Sequence, residues 1–135
     1  MITTNPQAAA WYRRAQRAAD PRRAGIALRL AVTADPDFAL AAADLAAITG
    51  TPGRHPGPRL MNWERHHIEV VNAAAAGYLA RASDLLREHL ASVGCDPLAV
   101  RIIARLREPT ARDDDLENLA TQLPGCHATP WPGTS

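Results

Sequence analysis

Hydrophobic positions recur at helical spacing along most of this chain, and most clearly between Trp63 and Leu106. On both sides of a turn at Gly77, apolar residues fall three and four positions apart, which is the period of an amphipathic α-helix. A helical hairpin of this kind cannot bury its apolar stripes alone, so it must pack against neighbouring helices. The pattern therefore predicts an all-α protein.

Four Asx-Pro pairs divide the rest of the chain into helix-sized lengths. They are Asn5-Pro6, Asp20-Pro21, Asp35-Pro36 and Asp96-Pro97. An Asp or Asn side chain caps the free N–H groups of a first helical turn, and proline suits the first helical position because it has no N–H. The Asx-Pro pairs and the hydrophobic periodicity together predict about six to seven helices: 6–19, 21–34, 36–49, three within 63–106, and a last one at about 113–123.

The chain is short enough to be a single domain, because 135 residues bury one core. Gly and Pro are dense between Thr49 and Leu60, and this stretch predicts an irregular loop between two halves. We therefore predict one helical domain over residues 1–123 with a seam at 50–60, followed by a flexible C-terminal tail at 124–135.

The two halves correspond to each other at helix-core positions. Ala24 and Ala82 lie 58 residues apart (82 − 24), as do Leu28 and Leu86 (86 − 28). A small residue, then a large apolar residue, then a proline such as Pro36 at the next helix start is typical of a tetratricopeptide unit. The predicted fold is therefore a set of stacked helical hairpins of tetratricopeptide-like type.

Three segments carry a family resemblance that covers roughly residues 1–106. They read DPDFALA at 35–41, ERHH at 64–67 and DPLAV at 96–100. With these segments the chain resembles the N-terminal part of bacterial proteins like tetratricopeptide repeat protein 38. The resemblance implies an all-α repeat fold and supplies no catalytic residues. Those proteins continue through several more helical units, so a last helix at 113–123 or a second copy of the chain is expected to cover the final face.

The charge of the chain disfavours two classes of partner. All 15 basic residues are arginine, the net charge is +1, and both signs are interspersed. A nucleic-acid-binding or anionic-membrane surface would need a basic excess. Arg13, Arg14 and Arg17 are therefore predicted to form a solvated helix face, and neither nucleic acid nor membrane is predicted as a partner.

The predicted location of the chain is the cytoplasm. No apolar run approaches the ~20 residues needed to cross a bilayer, and the N-terminal residues lack the pattern of a secretory signal. Because a reducing compartment disfavours structural disulfides, Cys95 and Cys126 are predicted to be free thiols.

The segment Glu64–His67 is the most chemically suggestive part of the sequence. Glu64 and His67 share a helix face at the spacing of one arm of carboxylate-bridged metal sites, and His89 lies in the apolar stripe of the next helix. One interpretation is a polar pocket between helices four and five, in which these three residues act as acid–base or metal-binding groups with Arg65 and His66 at the rim. The favoured interpretation is structural, with His67 bonded to a backbone carbonyl and His89 a core histidine.

The remaining candidates point away from a reactive centre. Cys95, Cys126 and His127 match no zinc-ligand spacing, so no metal and no cofactor are predicted. Trp131, in a Pro-Trp-Pro context, is predicted to be exposed and to contact a partner.

The leading hypothesis is therefore a small non-catalytic helical-repeat protein that mediates protein–protein interaction or self-association, with a homodimer as one form. The alternative hypothesis is a small enzyme or ligand- or metal-binding protein that uses Glu64, His67 and His89.

Overall fold

The computed structural model describes residues 3–51, 62–106 and 131, and in these residues all regular secondary structure is α-helical. The helices are α1 (Pro6–Arg17), α2 (Pro21–Ala34), α3 (Ala39–Ile48), α4 (Asn62–Ala75), α5 (Leu79–Val93) and α6 (Pro97–Leu106). The all-α prediction is confirmed. Most of the predicted seam, the predicted helix at 113–123 and the predicted tail, apart from Trp131, lie outside the described residues.

Three of the predicted helix starts are held by side-chain caps, at Asn5, Asp20 and Asp96. The Asn5 side chain accepts hydrogen bonds from the backbone N–H groups of Gln7 and Ala8 at 2.9 and 3.1 Å. The Asp20 carboxylate accepts from the N–H of Arg23 at 2.8 Å. Each cap satisfies donors that have no partner within the first turn, so α1 and α2 begin at the predicted prolines.

The predicted helix start at Pro36 is wrong, because α3 begins three residues later at Ala39. The N–H of Asp35 donates to the carbonyl of Ala31 at 3.0 Å, and its carboxylate accepts from the N–H of Asp37 at 3.1 Å. Asp35 therefore closes α2 and shapes the following turn instead of capping α3. Phe38 occupies the N-cap position of α3, makes no side-chain cap and is buried.

Successive helices pack against one another, and the last described helix returns to the first. α1 packs on α2, α2 on α3, α3 on α4 and α4 on α5, while α6 contacts α3, α4, α5 and α1. In a linear stack of repeats, each unit contacts only its neighbours. The contact between α6 and α1 closes the described helices into one body.

The correspondence between the two halves extends to their packing. α2 and α5 begin 58 residues apart (79 − 21), and so do α3 and α6 (97 − 39). Ala24, Leu28, Ala82 and Leu86 are all completely buried. Small residues at such positions let helices approach closely, and the matched leucines fill the space between them.

Glycines with positive φ follow the last turns of α4 and α5. Gly77 has φ +93° in the turn between α4 and α5, and Gly94 has φ +86° where α5 ends. Residues with a Cβ rarely adopt this conformation. Gly94 thereby allows the sharp change of direction that returns the chain to the interior at Asp96.

The prediction of a free thiol at Cys95 is wrong, because Cys95 takes part in a disulfide bond. The free thiol was predicted from the inferred compartment, because a reducing environment disfavours disulfides. A disulfide depends instead on the spatial approach of two sulfur atoms, which residue spacing does not give. Cys126 lies outside the described residues.

None of the helices in the described residues is both long enough and apolar enough to cross a membrane.

Candidate functional site

A chain of buried hydrogen bonds runs through the centre of the described helices, and we call it the buried polar cluster. Four members are completely or almost completely buried, and the fifth has 7% of its surface exposed. The members come from four helices and from the residue that precedes a fifth: Tyr12 (α1), Asp44 (α3), His67 (α4), His89 (α5) and Asp96 (before α6).

His67 lies at the middle of the buried polar cluster between two carboxylates. Its Nε2 is 2.5 Å from Asp44 Oδ1, and its Nδ1 is 2.5 Å from Asp96 Oδ2. Burial opposes the charged imidazolium, but the negative charges of Asp44 and Asp96, with their hydrogen bonds, outweigh it and raise the pKa of His67 well above its usual value. Both ring nitrogens therefore donate, and His67 joins α3 to the start of α6.

Asp44 connects the imidazole to α1. The hydroxyl of Tyr12 donates to Asp44 Oδ2 at 2.7 Å. Burial raises the pKa of Asp44, and the charge and hydrogen bonds of His67, together with the Tyr12 hydroxyl, oppose this rise only in part. Burial and the nearby carboxylates also raise the pKa of Tyr12 well above its usual value, so the phenol remains a neutral donor.

Asp96 is a hydrogen-bond partner of both histidines. Its Oδ2 lies 2.7 Å from His89 Nε2 as well as near His67, and its Oδ1 accepts from the N–H of Ala99 at 3.3 Å. Burial favours the neutral carboxyl, but the charge and hydrogen bonds of His67 and His89 outweigh this effect and lower the pKa of Asp96. The carboxylate is therefore ionised, and it also caps α6.

Local sequence explains how the histidines reach the interior. His67 lies on the α4 face that also buries Ile68 and Val71, and His89 lies on the α5 face beside Leu86 and Leu90. Each imidazole therefore takes a position that helical periodicity assigns to the core.

Two of the three residues proposed for a pocket, His67 and His89, come close together. His67 and His89 have ring centroids 6.1 Å apart and share the Asp96 carboxylate. Glu64 lies on the same α4 face and is completely buried. His67 is bonded to carboxylates, not to a backbone carbonyl as the structural interpretation supposes.

The two predicted rim residues lie nearer the surface. Arg65 is half-buried and His66 is exposed. The ring centroid of His66 is 6.4 Å from that of His89, so the exposed imidazole lies just outside the buried polar cluster.

Sequence reasoning missed Tyr12, Asp44 and Asp96 as members of the site. Asp44 is the one charged residue in the helix sequence ALAAADLAAI, and a lone carboxylate in such an apolar stretch is a signal that it needs a buried partner. For Asp96, the Asp-Pro pair indicates only a capping role. Tyr12 carries no local signal that separates it from a core aromatic residue.

Three members of the cluster have the geometry of metal ligands. One atom each from His67, His89 and Asp96 lies within 4.8 Å of the other two. Cys95 contributes no thiolate, because it is disulfide-bonded.

The predicted exposure of Trp131, on which its proposed partner contact depends, is wrong. This side chain has 2% of its surface exposed, and its indole Nε1–H donates to the carbonyl of Ala18 at 3.0 Å. The indole is a large apolar group with one donor, so it buries its rings in the core while satisfying a carbonyl at the end of α1.

Comparison with known proteins gives no match, whether by family model, by curated sequence or by solved structure. The function of the protein is therefore inferred from the chemistry of its own residues.

Proposed function

We propose that this protein is a non-catalytic helical module that binds a protein partner through the outer side of α1 and α2, here called the basic face. The observation that carries the proposal is the charge of this hairpin: residues 6–34 contain six arginines and one acidic residue, Asp20, a local charge of +5 (6 − 1). All six arginines are exposed: Arg13, Arg14 and Arg17 on α1, and Arg22, Arg23 and Arg29 on α2.

Apolar side chains interrupt the arginines on α2. Ile26 and Leu30 are 50% and 37% exposed and lie one helical turn apart; Ile26 stands between Arg23 and Arg29, and Leu30 directly follows Arg29. A surface that combines arginine with aliphatic groups suits a protein segment that carries carboxylates and apolar side chains.

A nucleic-acid partner receives less support than a protein partner. Binding to single strands uses exposed aromatic rings on which bases stack. On the basic face, Trp11 is half-buried with the guanidinium of Arg14 4.6 Å from its ring centroid. Tyr78 is exposed, but it precedes α5 and belongs to neither α1 nor α2.

The enzyme alternative also receives less support. A catalytic acid or base must come within hydrogen-bonding distance of its substrate. Glu64, His67 and His89 are completely buried, and the two histidines are engaged with carboxylates inside the protein. The arrangement of these groups supports a role in holding helices together or in binding a small ion. Recognition of a partner is therefore assigned to the surface of the protein.

Self-association is proposed through a different surface. Two basic faces in an isologous contact would bring twelve arginines together, two copies of six, and this like-charge contact is unfavourable. Light scattering of the purified protein measures the oligomeric state. A dimer that persists in the Ile26→Glu and Leu30→Glu variants would agree with self-association through a surface other than the basic face.

Fluorescence anisotropy with a labelled helical peptide tests the proposed binding. The probe carries Glu and Leu on one face, and its matched control carries Lys in place of each Glu. We expect micromolar binding of the Glu peptide that weakens with salt, falls about tenfold in the Ile26→Ser/Leu30→Ser variant and is unchanged in Arg81→Ala on α5. Equal binding of the Lys peptide, or tighter binding of single-stranded DNA, would overturn the proposal.

Three finer assignments remain proposals beside this one: the tetratricopeptide type of the hairpins, the likeness to tetratricopeptide repeat protein 38 and the cytoplasmic location. The matched core positions of α2 and α5 support the first. The disulfide at Cys95 counts against the third, because disulfides persist mainly in oxidising compartments. Alkylation of thiols during cell lysis, followed by mass spectrometry, tests the state of Cys95.

A further inference from the structure

We propose that the buried polar cluster binds one divalent transition-metal ion of the Zn²⁺ class through His67 Nδ1, His89 Nε2 and Asp96 Oδ2. The two ring nitrogens lie 2.5 and 2.7 Å from the same carboxylate oxygen, and the three ligand atoms lie within 4.8 Å of one another. This inference rests on α4, α5 and the start of α6, so it stands independently of partner binding at the basic face.

The spacing of the ligand atoms is close to what the ion requires. Zn²⁺ binds histidine nitrogen at about 2.0–2.1 Å and carboxylate oxygen at about 2.0–2.2 Å, so ligands in a tetrahedron lie about 3.3 Å apart. The nitrogen–oxygen separations of 2.5 and 2.7 Å therefore need to lengthen by less than about 1 Å. The two nitrogens lie no more than 4.8 Å apart and need to close by at most about 1.5 Å. Because a ligating nitrogen carries no proton, binding of the ion also releases the proton that His67 Nδ1 donates to Asp96.

The group behind one of the two histidine ligands matches those that orient metal-binding residues, whereas Nδ1 of His89 is buried without a hydrogen-bond partner. A ligating histidine usually donates its second ring N–H to a carboxylate, which fixes the orientation of the ring. Here His67 Nε2 faces Asp44 Oδ1 at 2.5 Å, and Tyr12 in turn donates to Asp44 Oδ2 at 2.7 Å. The second oxygen of Asp96 is held by the N–H of Ala99.

The charge balance of the interior favours a cation. Asp44, Glu64 and Asp96 are three buried acidic residues, against which the described part of the chain sets the single imidazolium of His67 and no buried arginine. Carboxylates are costly to bury without compensating positive charge. Two imidazoles in the ligand set favour zinc-like ions over magnesium or calcium, which prefer oxygen ligands.

Isothermal titration of chelator-treated protein measures this binding. Zn²⁺ is titrated first, Mg²⁺ second, and thermal unfolding is recorded with and without each ion. We expect one Zn²⁺ per chain and a higher melting temperature with Zn²⁺, and we expect no effect of Mg²⁺. Absence of Zn²⁺ binding, or equal stabilisation by Mg²⁺, overturns the proposal.

Variants locate the ion. His89→Ala and Asp96→Asn each remove a ligand, and we expect them to weaken Zn²⁺ binding by about 100-fold or more. Asp44→Asn disturbs only the support of His67, so a loss of about 10–100-fold is expected. The matched control is His66→Ala, which removes an exposed imidazole next to the site and should leave the affinity unchanged. A loss of affinity in this control places Zn²⁺ on the surface and overturns the assignment.

Spectroscopy of the wild-type protein gives a test that does not depend on the folding of variants. X-ray absorption of the Zn²⁺-loaded chain counts imidazole ligands through their characteristic outer-shell scattering. Two imidazoles are expected in the wild type and in His66→Ala. One or none, or a sulfur ligand, contradicts the proposed set.

Discussion

The first three described helices and the last three share a spacing but have different interiors. In α1–α3 the core is formed by alanines, leucines and two aromatic rings, and its buried polar contact is the pair Tyr12–Asp44. The half that contains α4–α6 buries five polar or charged residues: Glu64, His67, Ser83, His89 and Asp96.

Two matched positions account for much of this difference. Ala31 on α2 corresponds to His89 on α5 (31 + 58), and Phe38 before α3 corresponds to Asp96 before α6 (38 + 58); all four are buried. Phe38 packs its ring 5.3 Å from that of Tyr12, whereas Asp96 accepts hydrogen bonds. One helical frame therefore supports an aromatic contact in one half and a candidate ion site in the other.

The largest effect is expected when the imidazole that joins the halves is removed. His67→Ala leaves Asp44 and Asp96 buried without the cation between them, and such a change costs about 3–5 kcal/mol. Urea unfolding at pH 7 in the presence of chelator measures the loss. The control His66→Ala, at an exposed position, should change stability by less than about 0.5 kcal/mol. Equal losses in both variants would show that the central imidazole does not hold the halves together.

The next prediction tests whether the apolar frames of the two halves are equivalent. Leu28→Ala in α2 and Leu86→Ala in α5 each remove a completely buried side chain at matched positions. Each should cost about 2–5 kcal/mol, because lost burial adds to a cavity. Urea unfolding of the two variants side by side checks this. A much smaller loss at Leu86 would indicate that the polar half is held mainly by its hydrogen bonds.

A smaller effect is expected when the histidine is copied into the apolar half. Ala31→His places an imidazole where α2 is fully packed and where Phe38 stands at the position of Asp96. Overpacking should cost about 1–3 kcal/mol. The zinc stoichiometry, measured by titration, should remain one per chain because a phenyl ring supplies no ligand atom at the matched position. A second bound Zn²⁺ would contradict the view that Asp96 defines the site.

The smallest losses of stability are expected at a helix cap in one half and at a surface ion pair in the other. Asp20→Ala removes the cap of α2 and should cost about 1 kcal/mol. Asp84→Ala breaks the exposed contact of Asp84 with Arg87 at 2.9 Å and should cost less than about 0.5 kcal/mol. Thermal unfolding of both variants measures the order, and a reversed order would mean that the cap of α2 contributes little.

The all-α class and most of the helix limits could be predicted from local patterns. Hydrophobic period, capping residues and glycine turns act within a few positions, so Asn5, Asp20 and Gly77 could be assigned from the sequence. Asp35 could not, since an Asp-Pro pair also fits a turn that closes the preceding helix, and here the N–H of Asp35 bonds back to α2.

The candidate site was predictable only in part, because its members meet across the fold. Glu64, His67 and His89 were indicated by helical periodicity alone. Asp44 and Asp96 are 23 and 29 residues from His67, and their contacts depend on how α3 and α6 pack on α4. The same holds for Trp131, whose partner carbonyl at Ala18 is 113 residues away.

The docking of Trp131 has a practical consequence for protein engineering. A truncation after Leu106 keeps all six described helices and looks attractive for crystallisation, yet it removes the indole that covers the end of α1. The carbonyl of Ala18 and its apolar surroundings would then face water, and a shortened protein is expected to aggregate more readily. Shortened forms of the protein therefore need to keep Trp131 together with the six helices.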